Sequence, residues 1–122
     1  MKAWTLFAVL ILTACLALAM ADAKGSPITV TGWVLDSACA YTKGLEKPIS
    51  RECALACAKK GSPLVILRDD GTIFLPIGDD TPATGQNERL TAFAGKRAVV
   101  KGRAYTRGGS TALVIESIEA AK

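Results

Sequence analysis

The sequence contains no histidine, and this absence removes several chemistries from consideration. Without an imidazole there is no Ser-His or Cys-His catalytic dyad, no histidine-ligated haem and no type 1 copper site of the usual composition. Aromatic residues make up 6% of the chain, and basic residues adjoin only in pairs, at Lys59 with Lys60 and Lys96 with Arg97. Nucleic-acid binding normally needs clustered basic and stacking side chains, so it is not expected. The composition favours a binding module over an enzyme.

The first 23 residues have the pattern of a secretory signal peptide. Lys2 precedes an apolar run over residues 5–20, and small residues follow that run. We expect cleavage after Ala23, with Ala19 and Ala21 as alternative sites, and a periplasmic or secreted mature protein. The run of about 16 apolar residues is shorter than the roughly 20 that a membrane span needs, so no transmembrane segment is expected after cleavage.

A lipid anchor is the alternative fate of this leader. The segment Leu12 to Cys15 resembles a lipobox, whose cysteine becomes the lipid-bearing N-terminus, but the residues after Cys15 are apolar rather than a polar tether. Cleavage after Ala23 removes Lys2 and Asp22, one from each of the 15 basic and 11 acidic residues, so the net charge stays at +4. This charge gives a weak preference for anionic partners.

Residues 24–122 predict a single small β-rich domain. Polar and apolar alternation and β-branched residues predict five strands, at 28–36, 64–67, 72–75, 97–105 and 111–118. One helix is predicted over about residues 51–60 with Ser50 as its N-cap, and a second begins at an Asn87 cap and reaches Gly95. Residues 37–49 are predicted to be a connection.

A helix between the third and fourth of five strands is the element order of an OB-fold. We therefore expect a mainly β protein, a five-stranded OB-fold-like Greek-key barrel with a Cys-bearing helical insertion after strand 1. Another small barrel or a β-sandwich is the alternative.

Three cysteines, Cys39, Cys53 and Cys57, remain in the mature chain, so a disulfide leaves one thiol over. Cys53 and Cys57 are four residues apart and share one face of the predicted helix. A disulfide between them within a helix is strained, which favours a bridge from Cys39 to either of the two. Such a bridge closes a loop and stabilises a small fold.

Two other uses of the same cysteines stay open. As a metal site, the three thiolates suit Cu(I), or Zn(II) with Asp36 or water as a fourth ligand. As a redox site, the spare thiol near Lys59 exchanges disulfides with other molecules. An interaction module for an anionic polymer or a partner protein, independent of the cysteines, is a third function to be considered.

Two further groups of residues have weaker patterns. The pairs Asp69 with Asp70 and Asp79 with Asp80 adjoin turn-forming residues, so we expect turns there rather than a calcium or catalytic site. An OB barrel often binds ligands on one face of strands 2 and 3. The side chains that suit such a face are expected to be mainly core or surface residues here: Trp33, Phe74, Tyr105, Arg68, Arg103 and Arg107.

Several segments together resemble a group of small exported bacterial proteins that are OB-fold-like and of uncharacterised function. They are residues 32–39, 53–64, 69–72, 93–96 and 108–109. The resemblance implies the fold and the export but carries no activity. Some members have a histidine before the Cys-x3-Cys helix, where this chain has Ser50 and Arg51, so the resemblance does not imply a Cys/His metal site.

Overall fold

The computed structural model describes residues 25–46 and 48–122. The signal peptide, its cleavage sites and the lipidation candidate Cys15 lie outside these residues. The described chain forms, in order, β1 (Ser26–Asp36), α1 (Ser37–Thr42), α2 (Arg51–Lys59), β2 (Leu64–Leu67), β3 (Ile73–Ile77), α3 (Asn87–Leu90), a 3-10 turn (Thr91–Phe93), β4 (Arg97–Arg107) and β5 (Ser110–Ala120).

The strands close into a barrel in the order β1-β2-β3-β5-β4. β1 pairs with two strands, both antiparallel: its last four residues pair with β2, and residues 26–33 pair with β4. β3 and β5 are parallel neighbours, with Pro76 opposite Leu113. Since α3 lies between β3 and β4 and two helices follow β1, the predicted five-stranded barrel with a Cys-bearing helical insertion is confirmed.

Two glycines allow the strands to approach as closely as a small barrel requires. A Cβ atom at Gly32 would lie 2.5 Å from the Leu67 carbonyl oxygen, and one at Gly102 would lie 1.9 Å from the Val114 carbonyl oxygen. The register of β4 against β5 also shifts between Lys101 and Gly102. Such bulges and side-chain-free contacts let strands bend at barrel corners.

The barrel interior is apolar and mainly aliphatic, and every strand contributes to it, with Phe74 as the contribution of β3. Burial alternates along β1, where Val30 and Val34 are fully buried, as expected for a strand with one face inward. Leu90 of α3 and Ala54 of α2 belong to the same cluster, so both helices pack onto the barrel. The fully buried members of largest volume are Leu64, Ile66, Leu90, Leu113, Val30, Val34 and Val100.

Both faces of β2 are buried, and this determines where α1 packs on the barrel. Leu64 and Ile66 belong to the barrel cluster, whereas Val65 and Leu67 belong to a second cluster that includes Ala40 of α1. A strand covered on both sides reads as a continuous apolar run, which is the sequence pattern of β2. α1 is therefore held against the outer face of the β1-β2 pair, next to the last residue of β1.

Two local assignments from the sequence are wrong. Residues 37–42 form α1 rather than a connection, because the Asp36 side chain accepts a hydrogen bond from the Cys39 backbone N–H at 3.1 Å and so caps a helix there. Asn87 is the first residue of α3 and not its cap. Its side chain accepts from Leu64 N at 2.7 Å and donates to Ser62 O at 2.9 Å, so a tertiary contact has replaced the local one.

Candidate metal centre

Asp36 is the only charged residue that is buried in the part of the chain the structure describes, with 1% of its surface exposed. It ends β1, pairs with Leu64 of β2, and begins α1 as its N-cap. One carboxylate oxygen, Oδ2, accepts the Cys39 N–H. Burying a carboxylate costs free energy unless it is hydrogen-bonded or bound to a cation. The groups around Asp36 therefore determine how its charge is compensated.

α2 presents Cys53 and Cys57 to this carboxylate. Ser50 caps the helix by accepting from Cys53 N at 3.2 Å, as the sequence predicts. The first turn of α2 also makes a tertiary contact, because the Arg51 guanidinium donates a hydrogen bond to the Ala94 carbonyl oxygen at 2.8 Å. Gly95 lies against the backbone of Arg51, where an added Cβ would come within 2.4 Å of the Arg51 Cα. α2 is thus anchored to the segment before β4.

The ligand atoms of Asp36, Cys53 and Cys57 all lie within 4.8 Å of one another. Around a tetrahedral zinc ion with Zn–S bonds of about 2.3 Å, neighbouring sulfur ligands are about 3.8 Å apart. Adjustments of about 1 Å, within reach of side-chain rotation, would bring the three atoms to that spacing. They come from a strand end and from two successive turns of one helix, which is a spacing that can surround a single ion.

Cys39 is adjacent to this trio but is not a member of it. Hydrogen bonding to Asp36 raises the pKa of the Cys39 thiol to about 11, with further contributions from desolvation and from the thiol of Cys53. Burial, followed by the charge of Asp36 and the interaction with Cys53, also raises the pKa of Cys57. Asp36 and Cys53 therefore interact with both of the other thiols, Cys39 and Cys57.

A small cavity of about 20 Å³ lies between the N-terminal turns of α1 and α2. Asp36, Cys39 and Cys53 line it, together with Lys43 and Ile49 among others, whereas Cys57 does not. A space of about 10–15 Å³ or more accommodates one water molecule, so the cavity has room for one species of that size. The space lies on the Cys39 side of the Asp36 and Cys53 pair.

The structure brings the sequence-predicted site residues together only in part. Cys53 and Cys57 share a helix face as predicted, but their third partner is Asp36 rather than Cys39. Cys39, Cys53 and Cys57 are all free thiols, and none of them is in a disulfide. The bridge from Cys39 to one of the other two stays a prediction. The sequence alone indicates Asp36 only as an optional fourth ligand of zinc, because an aspartate at the end of a strand ordinarily caps a helix or forms a turn.

The other candidate residues are engaged elsewhere. Arg68 and Arg97 lie over the rings of Phe74 and Trp33, each at 5.6 Å from the ring centroid. Arg103 pairs with Asp79 at 2.6 Å.

Asp69 and Asp70 lie in the turn between β2 and β3. The Asp70 side chain accepts from Thr72 N at 3.0 Å, and the two carboxylates pair with Arg97 and Arg68. These contacts fix a turn and do not converge on a common point.

The chain matches no family model, and no curated protein or solved structure matches it either. Among residues 25–46 and 48–122, no helix combines the length and the apolar character needed to cross a membrane. The geometry of the Asp36, Cys53 and Cys57 trio is therefore the main indication of function.

Proposed function

We propose that this protein is a metal-binding module that holds one Zn(II) ion between Asp36, Cys53 and Cys57. The observation that carries the proposal is the convergence of two thiols and a buried carboxylate within 4.8 Å. Zinc accepts sulfur and oxygen ligands together in tetrahedral sites, and three protein ligands leave a fourth position for water or for another side chain.

The carboxylate favours zinc over copper. Cu(I) selects soft thiolate and thioether ligands, whereas an aspartate oxygen is a hard ligand. Of the two ions that the cysteines suggest from sequence, Zn(II) uses all three converging groups, and Cu(I) uses only the sulfur atoms. An ion at this point also compensates the buried charge of Asp36, whose hydrogen-bonded partners, the Cys39 N–H and the neighbouring thiols, carry no charge of opposite sign.

Metal titration of the reduced protein, expressed from the full-length sequence, tests this proposal. We expect one zinc ion per chain in competition with a chromophoric chelator and in native mass spectrometry. With Co(II) in place of zinc, we expect thiolate-to-cobalt absorption in the near ultraviolet and the intense visible bands of a tetrahedral site. Binding of copper but not zinc, or of neither ion, would contradict the proposal.

Substitutions identify the ligands. Cys57→Ser and Cys53→Ser should weaken zinc binding by more than the roughly 10–100-fold that loss of an outer-shell partner costs. Asp36→Asn keeps a side-chain oxygen that can cap α1 but removes the anionic ligand, so it should weaken binding without unfolding the helix. Ala56→Ser, on the exposed face of the same helix, is the matched control and should bind zinc as the wild type does.

We further propose that the module acts after export, in the periplasm or outside the cell, as its leader pattern suggests. The intact mass of the protein recovered from an exporting bacterial host tests this point. A mass that begins at Lys24 supports it, and a lipid-modified mass beginning at Cys15 would replace secretion by membrane anchoring.

A further inference from the structure

Cys53 belongs to two groups of side chains at once. It is a member of the trio with Asp36 and Cys57, and it also interacts with the thiol of Cys39, with which it lines the small cavity between α1 and α2. Cys39 and Cys53 hold equivalent positions, because each is the third residue of its helix and each backbone N–H is bonded to the helix cap. One sulfur atom therefore faces two alternative partners.

The positions of Cys39, Cys53 and Cys57 distinguish among the three disulfides that these residues could form. Cys53 and Cys57 are one helical turn apart, with Cβ atoms about 5–6 Å apart in a regular helix, whereas a disulfide needs about 3.5–4.5 Å. A bond between them would require part of α2 to unwind. Cys39 and Cys53 line one cavity, and Cys57 does not line it. The pair on separate, adjoining helix ends, Cys39 and Cys53, is the remaining one.

We infer that Cys39 and Cys53 form a reversible disulfide, and that this disulfide and the metal ion exclude one another because both require the sulfur of Cys53. This inference rests on the proposed function and makes the site a redox-controlled one. In the reduced state, Cys53 is available to the ion together with Asp36 and Cys57. In the oxidised state, only the Cys57 thiol and the Asp36 carboxylate remain as ligands, and these are too few to retain zinc.

The oxidant that the inference requires is a low-molecular-weight disulfide such as oxidised glutathione. Exchange breaks the oxidant's S–S bond, forms one S–S bond between the two Sγ atoms, and releases two thiols that carry the electrons. From the metal-free state, the hydrogens of Cys39 and Cys53 account for both released thiols. From the zinc-bound state, Cys53 is a thiolate, so one proton is taken from solvent and the ion leaves as Zn(II), unchanged in oxidation state.

The chain between the two cysteines is compatible with this change. Between α1 and α2, the described residues 43–46 and 48–50 lie outside helices and strands, and they include Gly44, whose φ is +55°, and Pro48. A bond between Cys39 and Cys53 would close this segment without breaking any barrel strand. The two helices are already packed on β1, so little rearrangement of the fold is needed.

Oxidation with and without zinc, followed by peptide mapping, tests the inference. The full-length-encoded protein is reduced, freed of metal, and treated with oxidised glutathione, and samples are alkylated over time. We expect a Cys39–Cys53 linked peptide and an alkylated Cys57. At a zinc concentration 100 times Kd, about 1% of the protein is metal-free, so oxidation should be about 100-fold slower than in chelator.

Two variants separate the two states. Cys39→Ser keeps the trio, so it should bind zinc before and after exposure to the oxidant. Cys57→Ser keeps the disulfide pair but lacks the trio, so it should oxidise at the same rate with and without zinc. Ala38→Ser and Ala56→Ser, both on exposed helix positions, are the matched controls and should behave as the wild type.

Failure of the proposed function and failure of the disulfide inference would give different results. If the reduced wild type binds no zinc, the proposed function is wrong. If it binds zinc but the oxidised protein binds zinc as tightly, or if the disulfide maps to Cys57 or to a glutathione adduct, the proposed function stands and this inference is overturned.

Discussion

The barrel interior and the helical end, which consists of Asp36, α1 and α2, are both wholly or partly buried, but their side chains differ in chemical character. The interior consists of apolar side chains from all five strands, in which Val30, Leu64 and Leu113 are fully buried. The helical end places a buried carboxylate, Asp36, among three partly buried thiols. The barrel therefore contributes apolar burial, whereas the helical end holds the ionisable side chains.

This division of roles has an energetic basis. Apolar burial contributes about 25 cal/mol for each Å² removed from water, whereas a buried ionisable group is a cost until something compensates it. Changes to the barrel should therefore alter unfolding with little effect on the intrinsic metal affinity. Changes to the ligand side chains of the helical end should mainly alter the metal affinity.

Leu113→Ala should have the largest effect on stability. Leu113 is fully buried between β3 and β4, and removal of a buried leucine side chain costs about 2–5 kcal/mol of the free energy of unfolding. Urea denaturation measures the loss. Leu75→Ala, at a position 41% exposed, is the control and should cost clearly less. Equal losses for the two variants would mean that the barrel interior is not the main source of stability.

Gly102→Ala should destabilise the barrel by about 1–3 kcal/mol, the usual cost of overpacking. The added Cβ would lie 1.9 Å from the Val114 carbonyl oxygen, so β4 and β5 would have to separate at their bulge. Gly85→Ala is the matched control, because no atom lies within 4 Å of its added Cβ. The comparison uses the same urea titration, and a harmless Gly102→Ala would show that the bulge relaxes freely.

Ser50→Ala acts on the helical end. Loss of this N-cap should cost about 1 kcal/mol of stability and loosen the turn that carries Cys53. Because binding zinc must then reorder the turn, the affinity should fall by up to about fivefold, which corresponds to 1 kcal/mol. Chelator competition measures it. Ser110→Ala, at an exposed position of β5, should leave zinc binding unchanged, and an unchanged Ser50→Ala affinity would show that the cap does not hold the site.

The smallest effect is expected from the exposed ion pair of Asp69 with Arg97. The guanidinium lowers the pKa of Asp69, so the folded state holds the proton less tightly than the unfolded state does. The pair's contribution is therefore present above the ordinary carboxyl pKa and is lost as the pH falls below about 4. Asp69→Asn should reduce the acid sensitivity of unfolding slightly, and salt should mask the difference.

Asp80→Asn is the control for this effect, since Asp80 is in none of the ion pairs given for residues 25–46 and 48–122. Identical acid profiles for Asp69→Asn and the wild type at low salt would mean that the pair contributes nothing measurable.

The sequence predicted most of the fold because its signals are local. The apolar run from Leu64 to Leu67, the Asp-Gly turn after it and the Ser50 cap each depend on neighbours within a few residues, and all three are present in the structure. The errors occurred where a tertiary contact displaced a local one. Asn87 bonds to the start of β2 instead of capping α3.

The candidate site divides in the same way. The sequence by itself determined that Cys53 and Cys57 share one helix face, because a spacing of four residues is fixed by the helical repeat. Only the tertiary structure decided that Asp36, rather than Cys39, completes the trio, and that Cys39 lies next to Cys53. These contacts depend on β2 being buried on both faces, which holds α1 and α2 against one end of β1, and the packing of separate segments is not encoded by any local spacing.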